Sequence, residues 1–128
     1  MTLHTHICTL QVTDPRGLNL RTVQYHRSKS GEAAQARVHH RVIDPAGHEI
    51  EQRDPRLFAM AGGGARIAPS NLQTTYSLGG LALAHLSADS GLRVLFYGAA
   101  GQMLQGWDGM CGAGPGRRTV YDQMLRPV

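Results

Sequence analysis

A short turn sequence that recurs along the chain places the strongest limit on what this protein can fold into. Residues 42–56 have Asp44-Pro45-Ala46-Gly47 at their centre, with Asp, Pro and Gly at the first, second and fourth positions that a type I turn favours. Pro45 restricts φ, and Gly47 can adopt the left-handed conformation that closes a bulged hairpin. The stretch therefore predicts a β-hairpin with short, polar, exposed arms.

The same arrangement returns at 14–17 as Asp-Pro-Arg-Gly, and looser copies stand at 76–80, 97–101 and 121–125. The last residues of these units are Gly17, Gly47, Gly80, Gly101 and Leu125, so successive units lie 30, 33, 21 and 24 residues apart. One such unit cannot bury its own apolar face, so a degenerate repeat predicts stacked hairpins. The residues predicted to form these turns are Asp14, Pro15, Gly17, Asp44, Pro45, Gly47, Gly80, Gly101, Tyr121 and Asp122.

Alternating and β-branched residues between the turns predict nine strands. We expect them at 7–13, 18–26, 38–43, 48–53, 72–77, 81–88, 92–97, 102–107 and 119–121. Loops are expected near 28–37, 57–71 and 109–116, and Pro55 is expected to end the second hairpin. A single helical turn over 32–37 is an alternative that is marginal at that length. The prediction is an all-β fold: a single region over 1–128 whose antiparallel strand–turn–strand repeats form a curved, open or spiralling sheet.

Composition favours a protein that needs a partner. The chain has 128 residues, yet aromatic residues make up only 5% and glycines number 16, so a large core is not expected. The net charge is +4, but the arginines are scattered, so the sequence does not predict a nucleic-acid binder. It shows neither a membrane span nor a signal peptide. Cys8 and Cys111 are expected to be reduced thiols, with a single bridge between them as the alternative.

Residues that could carry chemistry are few. His4 and His6 would share a face of a strand, and a cysteine could complete a metal site, but His39 and His40 would point to opposite faces. Cys111 could act as a nucleophile with His85, although no oxyanion-hole motif adjoins it.

The Gly-rich segment 109–119 lacks the lysine of a phosphate-binding loop and precedes a strand-like segment. The tyrosines and Trp107 recur at strand positions, which favours packing between strands over stacking on a sugar. We therefore predict no enzyme, no catalytic residue, no metal site and no cofactor.

Five landmarks in order suggest a family. D-P-R-G-L-N-L-R-T-V-Q-Y-H-R at 14–27 resembles the opening of the C components of insecticidal toxin complexes, the TccC-like proteins with RHS (YD) repeats. V-I-D-P-A-G at 42–47 and D-P-R-L at 54–57 are similar to the segments that follow there. Y-S-L-G-G at 76–80 with S-A-D-S-G at 87–91, and Y-D-Q-M-L-R-P-V at 121–128, are similar to later ones.

The resemblance implies a scaffold. Such proteins form, with a B component, a hollow spiral β-sheet shell that encloses a C-terminal toxin. This chain resembles the N-terminal part of that shell, without the self-cleaving aspartate site and the toxin, so we expect a truncated, remnant or excised piece. Implied partners are a B component or further RHS strands, with self-association through strand edges. The resemblance implies synthesis in the bacterial cytoplasm and export within a toxin complex.

Two other functions stay open on the sequence. The first is a freestanding small β-sheet domain that binds a glycan or another ligand through tyrosine, tryptophan and arginine. The second is an enzyme that uses Cys111 or a histidine cluster, and this is the least favoured of the three.

Overall fold

The computed structural model describes residues 7–60, 62, 69–109 and 116–128. The chain divides into two compact units, Met1–Asn71 and Leu72–Val128. The described strands are β1 (Thr9–Thr13), β2 (Asn19–His26), β3 (Gln35–Ile43), β4 (Glu49–Arg53), β5 (Leu72–Tyr76), β6 (Ala82–Ser87), β7 (Gly91–Tyr97), β8 (Met103–Gly109) and β9 (Gly116–Arg118). The described helix is α1 (Pro55–Met60). The prediction of an all-β fold with antiparallel strands in an open sheet is confirmed.

In the first unit, β1 to β4 pair antiparallel in chain order. Because strand side chains alternate between faces, cross-strand partners form rows. Val12, Arg21, His40 and Arg53 make one such row across all four strands. Helix α1 packs on β3 and β4, with Phe58 over this face.

In the second unit, β5 to β9 form a continuous antiparallel series. On one face, cross-strand pairing places four polar residues in a row: Thr74, His85, Arg93 and Asp108. The other face carries apolar residues, because Val94 pairs with Trp107 and Leu86 with Leu92.

Helix α1 was not predicted. Pro55 does end the β4 segment, but it also begins a helix, since proline at the first helical position loses no intrahelical hydrogen bond. Asp54 caps this helix, because its Oδ1 accepts the Leu57 N–H at 2.8 Å. The expected loop over 57–71 is therefore helical at its start.

Two predicted boundaries were wrong. The loop expected over 28–37 ends earlier, and the alternative helical turn over 32–37 is absent, because Gln35, Ala36 and Arg37 extend β3 by pairing with β2. The last strand is not at 119–121 but at Gly116–Arg118, which pairs with β8. Gly109 and Gly116 belong to strands, and residues 110–115 of the expected loop lie outside the described residues.

Within the described residues, no side chain is fully enclosed. The buried polar residues there are Arg53 and Thr74, while Leu86 and Phe96 remain about half-exposed. A single sheet layer leaves at least one apolar face partly uncovered, and ordinary domains bury such a face against a second layer. Each unit therefore resembles one layer of a larger packing arrangement.

Candidate functional site

Five hairpin turns share one backbone hydrogen-bond pattern. They span residues 14–18, 44–48, 77–81, 98–102 and 122–126, and we number them turns 1 to 5. In each turn the N–H of the first residue donates to the carbonyl of the fifth, at 2.8–3.0 Å. The N–H of the fourth residue donates to the carbonyl of the first, at 2.9–3.0 Å. This is the geometry of a type I turn closed by a bulge.

The strand register agrees with this pattern. The ladder slips by one residue beside turns 1 to 4, at Val12/Thr13, Val42/Ile43, Thr75/Tyr76 and Phe96/Tyr97. The fourth residue of every turn has positive φ: 84° at Gly17, 95° at Gly47, 83° at Gly80, 77° at Gly101 and 58° at Leu125. These five positions are the ones from which the repeat spacing was measured.

The first side chain of a turn holds the loop shut. Asp14 Oδ1 accepts the N–H groups of Arg16 and Leu18, both at 2.9 Å. Asp122 Oδ1 does the same for Met124 and Arg126, both at 2.9 Å. An Asx turn of this kind, in which the aspartate side chain accepts N–H groups further along the chain, mimics a backbone turn and fixes its shape.

The remaining turns use related solutions. Asp44 Oδ1 accepts the His48 N–H at 2.8 Å in turn 2. In turn 3 the Ser77 hydroxyl accepts the Leu81 N–H at 3.0 Å. Gly98 has no side chain, and Gln102 instead reaches back to accept the Ala100 N–H at 3.0 Å. Ser77 lies within the predicted unit 76–80 but was not singled out there, and Gln102 lies outside the predicted units.

Hydrogen bonds lower the pKa values of the turn carboxylates. The His48 N–H is the main cause for Asp44, and the Arg126 N–H for Asp122, so each pKa lies below the ordinary 3.8. Partial desolvation would raise the pKa of Asp14, but hydrogen bonds from Leu18 and Arg16 outweigh it. The three carboxylates therefore support the turns at neutral pH and lose this role as pH falls through their lowered pKa values.

Arg16 links two turns that lie 30 residues apart. Its Nε donates to Asp14 Oδ2 at 2.7 Å, and its Nη1 donates to the Pro45 carbonyl at 2.7 Å. Both terminal nitrogens also reach the Asp44 carbonyl at 3.3 Å. One guanidinium thus ties turn 1 to turn 2, and the planar fork of arginine suits this divided contact.

Turn 5 is anchored to its neighbouring strand. Tyr121 and Pro127 form a β-bridge, and the Val128 N–H donates to the Val120 carbonyl at 2.9 Å. The Tyr121 hydroxyl donates to the Met103 carbonyl of β8 at 2.8 Å. The tyrosine before this turn therefore serves to attach the hairpin to the sheet.

Strand β1 presents an open edge in the first unit. All five of its residues are exposed, and among the described strands it pairs with β2 alone. Leu10 and Val12 are 49% and 48% exposed and lie on the same face. An exposed edge with unpaired backbone groups and apolar side chains is the usual template for adding a further strand.

The second unit presents an apolar face. Phe96 and Trp107 contact each other edge to face, with ring centroids 5.2 Å apart and an interplanar angle of 82°. Phe96 and Leu86 are about half-exposed. Edge-to-face rings of this kind pack neighbouring strands together.

The candidate chemical residues do not converge in the described part of the chain. His39 pairs with Thr22 and His40 with Arg21, so the two histidines lie on opposite faces. His85 contacts the Thr74 hydroxyl at 3.2 Å. In the described ranges, no three His, Cys, Asp or Glu residues are placed to hold a metal ion. His4, His6, Cys111 and most of the Gly-rich segment lie outside the described residues, and Cys8 is exposed.

The described helix is too short to cross a membrane: among the residues that the structure places, no helix has the length and apolarity required.

These features define a class of protein: an open antiparallel sheet built from hairpins that share one turn design and present an uncovered edge. Solved structures to which this chain is similar include toxin-complex assemblies. The crystal structure of TcdB2-TccC3-TEV matches with a TM-score of 0.84 and 27% identity, over 98% of this chain. That of TcdB2-TccC3-Cdc42 matches with a TM-score of 0.85 and 26% identity, also over 98% of this chain.

A third similar structure is the Tc holotoxin pore of Photorhabdus luminescens, with a TM-score of 0.82 and 27% identity over 94% of this chain. The chain spans only 5–6% of the length of these three matched chains. No family model and no curated protein matches the sequence. The predicted resemblance to TccC-like proteins of toxin complexes is confirmed by the structural matches.

Proposed function

We propose that this chain is a non-enzymatic scaffold segment of a toxin-complex shell. It corresponds to the N-terminal RHS part of a C component, which together with a B component encloses a C-terminal toxin. The segment forms part of the wall of the shell and catalyses no reaction of its own. Its protein would be made in the bacterial cytoplasm and exported within the assembled complex.

The repetition of one turn supports this role most directly. Five turns close with the same pair of backbone hydrogen bonds although their sequences differ, from Asp-Pro-Ala-Gly to Ser-Leu-Gly-Gly. Repeated hairpins of this kind stack by adding strands to an edge, and stability then depends on neighbours. The similarity to toxin-complex structures over nearly the whole chain supports the same role.

The surface of the described residues also suits a wall segment. Leucine, valine and phenylalanine side chains remain half-exposed on strands, and none is fully enclosed. A ligand-binding domain of this length would instead be expected to enclose a core beneath its site. Exposed apolar surface on an open sheet favours contact with further protein.

Co-expression with a toxin-complex B component tests the proposal. We expect an affinity-tagged B component to retain this chain through washing at high salt, because strand pairing and apolar contact resist screening. An unrelated β protein of similar size is the control for non-specific retention. Failure to bind, together with a monomer that melts cooperatively on its own, would favour the freestanding domain instead.

A further inference from the structure

A histidine stands beneath helix α1 in the first unit, between two arginines. His40 on β3 lies directly opposite Arg21 of β2 and Arg53 of β4. Arg53 is only 8% exposed. The turns and the edge strand do not use this group, and nothing in the proposed scaffold role requires a histidine there.

The aromatic ring of α1 covers this row. The Phe58 ring lies 5.6 Å from the His40 ring, tilted by 43°. The same ring receives the Arg21 guanidinium, whose carbon lies 5.2 Å from the ring centroid. Phe58 therefore joins α1 to β2 and β3 through one contact with a cation and one with a neutral ring.

Among the residues that the structure describes, three charged groups act on His40. Strand β2 contributes Arg21, and β4 contributes Arg53 together with Glu51, which forms an ion pair with Arg53. Helix α1 contributes no facing charge, because Arg56 is 91% exposed and pairs with Asp54. Two cations and one anion thus surround the ring, and a protonated His40 would be a third cation.

The neighbours of His40 keep it neutral. Burial is the main cause that lowers its pKa below the ordinary 6.5, and repulsion from Arg21 and then Arg53 adds to it, while Glu51 opposes them. Its Nδ1 is buried and has no hydrogen-bond partner among the described residues. A proton placed on that nitrogen would therefore find no hydrogen-bond acceptor among the described residues.

We propose that His40 is a pH-sensitive support for helix α1: protonation below neutral pH adds a third positive charge under Phe58 and weakens the packing of the helix on β2 and β3. The device does not depend on the shell role. Its consequence is local, since α1 would leave the face that carries Val23 and Val38, which are paired across β2 and β3.

The direction of the effect follows from linkage. The unfolded chain binds the His40 proton at a higher pH than the folded chain, so folded stability falls as pH decreases below about 6.5. The turn carboxylates titrate below 3.8 and do not change charge in this range. The window between pH 7.5 and pH 5.5 therefore excludes any contribution from these three carboxylates.

Thermal melting of the full chain at these two pH values tests the proposal, with His40→Gln as the neutral variant. We expect the Tm of the natural chain to fall on acidification, and most of that fall to disappear in His40→Gln. His39→Gln is the matched control, because His39 is the adjacent residue on the opposite face, and it should keep the full fall. A fall that persists in His40→Gln overturns the proposal.

Two further measurements keep the test decisive if the variant folds poorly. An NMR titration of the His40 ring in the natural chain must give a pKa below 6.5, and a value at or above 6.5 overturns the proposal. Hydrogen exchange at the Phe58 amide, corrected for the intrinsic effect of pH, must accelerate at pH 5.5 more than exchange at the Val94 amide in β7. Equal acceleration at both sites would show general loosening and not release of α1.

Discussion

At the scale of the residue, the fourth position of each turn decides how well the hairpin closes. Four turns place glycine there, and turn 5 places Leu125 at φ 58°. A side chain in this left-handed region brings its Cβ close to the following carbonyl oxygen, at a cost of roughly 1–2 kcal/mol. Leu125 is half-exposed, so packing returns only part of that cost.

Replacement of Leu125 measures this strain. Leu125→Gly should be more stable to unfolding than Leu125→Ala by about 0.5 kcal/mol. The free energy gained by removing the Cβ from a left-handed residue is larger than the free energy lost because glycine makes the unfolded chain more flexible. Both variants remove the leucine packing beyond Cβ, so their difference reports the cost of the left-handed φ less the difference in unfolded-state entropy. Chemical denaturation followed by circular dichroism measures it.

At turn 2 the reverse substitution adds a Cβ to a glycine that has positive φ. Gly47→Ala should lower the free energy of unfolding by about 1 kcal/mol, since φ is 95° there. The space itself is open enough, because a Cβ at Gly47 would lie 3.7 Å from Leu18 Cδ1, an ordinary contact. Equal stability of glycine and alanine at both positions would mean that the turns do not require the left-handed conformation.

At the scale of the element, helix α1 depends on a single cap. Asp54 Oδ1 accepts the Leu57 N–H, and the helix has only six residues, too few to persist without tertiary contacts. Asp54→Ala should therefore reduce stability by about 1 kcal/mol and speed hydrogen exchange at the Leu57 amide. Asp54→Asn keeps a capping oxygen and should retain most of the protection, whereas equal exchange in the two variants would argue against the cap.

The turns could be predicted from sequence because their chemistry is local. Asp44, Pro45 and Gly47 lie within four residues, and the interactions that shape turn 2 join residues of that same turn. Helix α1 was not predicted because the sequence Asp54-Pro55 is compatible both with the end of a strand and with the start of a helix. Contact of the segment with β3 decides between them.

Long-range pairing could not be predicted in the same way. The start of β3 is set by the pairing of Gln35 with His26, and β9 by the pairing of Arg118 with Gln105. Arg16 joins turn 1 to the carbonyl of Pro45, a contact that no local pattern indicates. The candidate site was therefore predictable in its turns and not in the contacts that join one hairpin to the next.

At the scale of the whole molecule, the open edge of β1 should govern association. Leu10 and Val12 lie on the apolar face of that strand, and Thr9 and Gln11 lie on its polar face. Two copies of the chain, or this chain and a partner strand, can pair there through backbone groups, and the apolar face then becomes partly buried. Natural edges are protected by lysine, and β1 has none.

Lysines on the apolar face should therefore weaken self-association of the isolated chain. The double change Leu10→Lys with Val12→Lys is expected to raise the dissociation constant about ten-fold, since it removes one to two kcal/mol of apolar burial. Thr9→Lys with Gln11→Lys adds the same charge to the same strand on its polar face and should have a smaller effect. Sedimentation velocity over a range of concentrations measures both, with a reducing agent present because Cys8 is exposed. If the two double variants associate equally, charge alone governs the edge, and if the natural chain stays monomeric throughout, β1 is not an association surface.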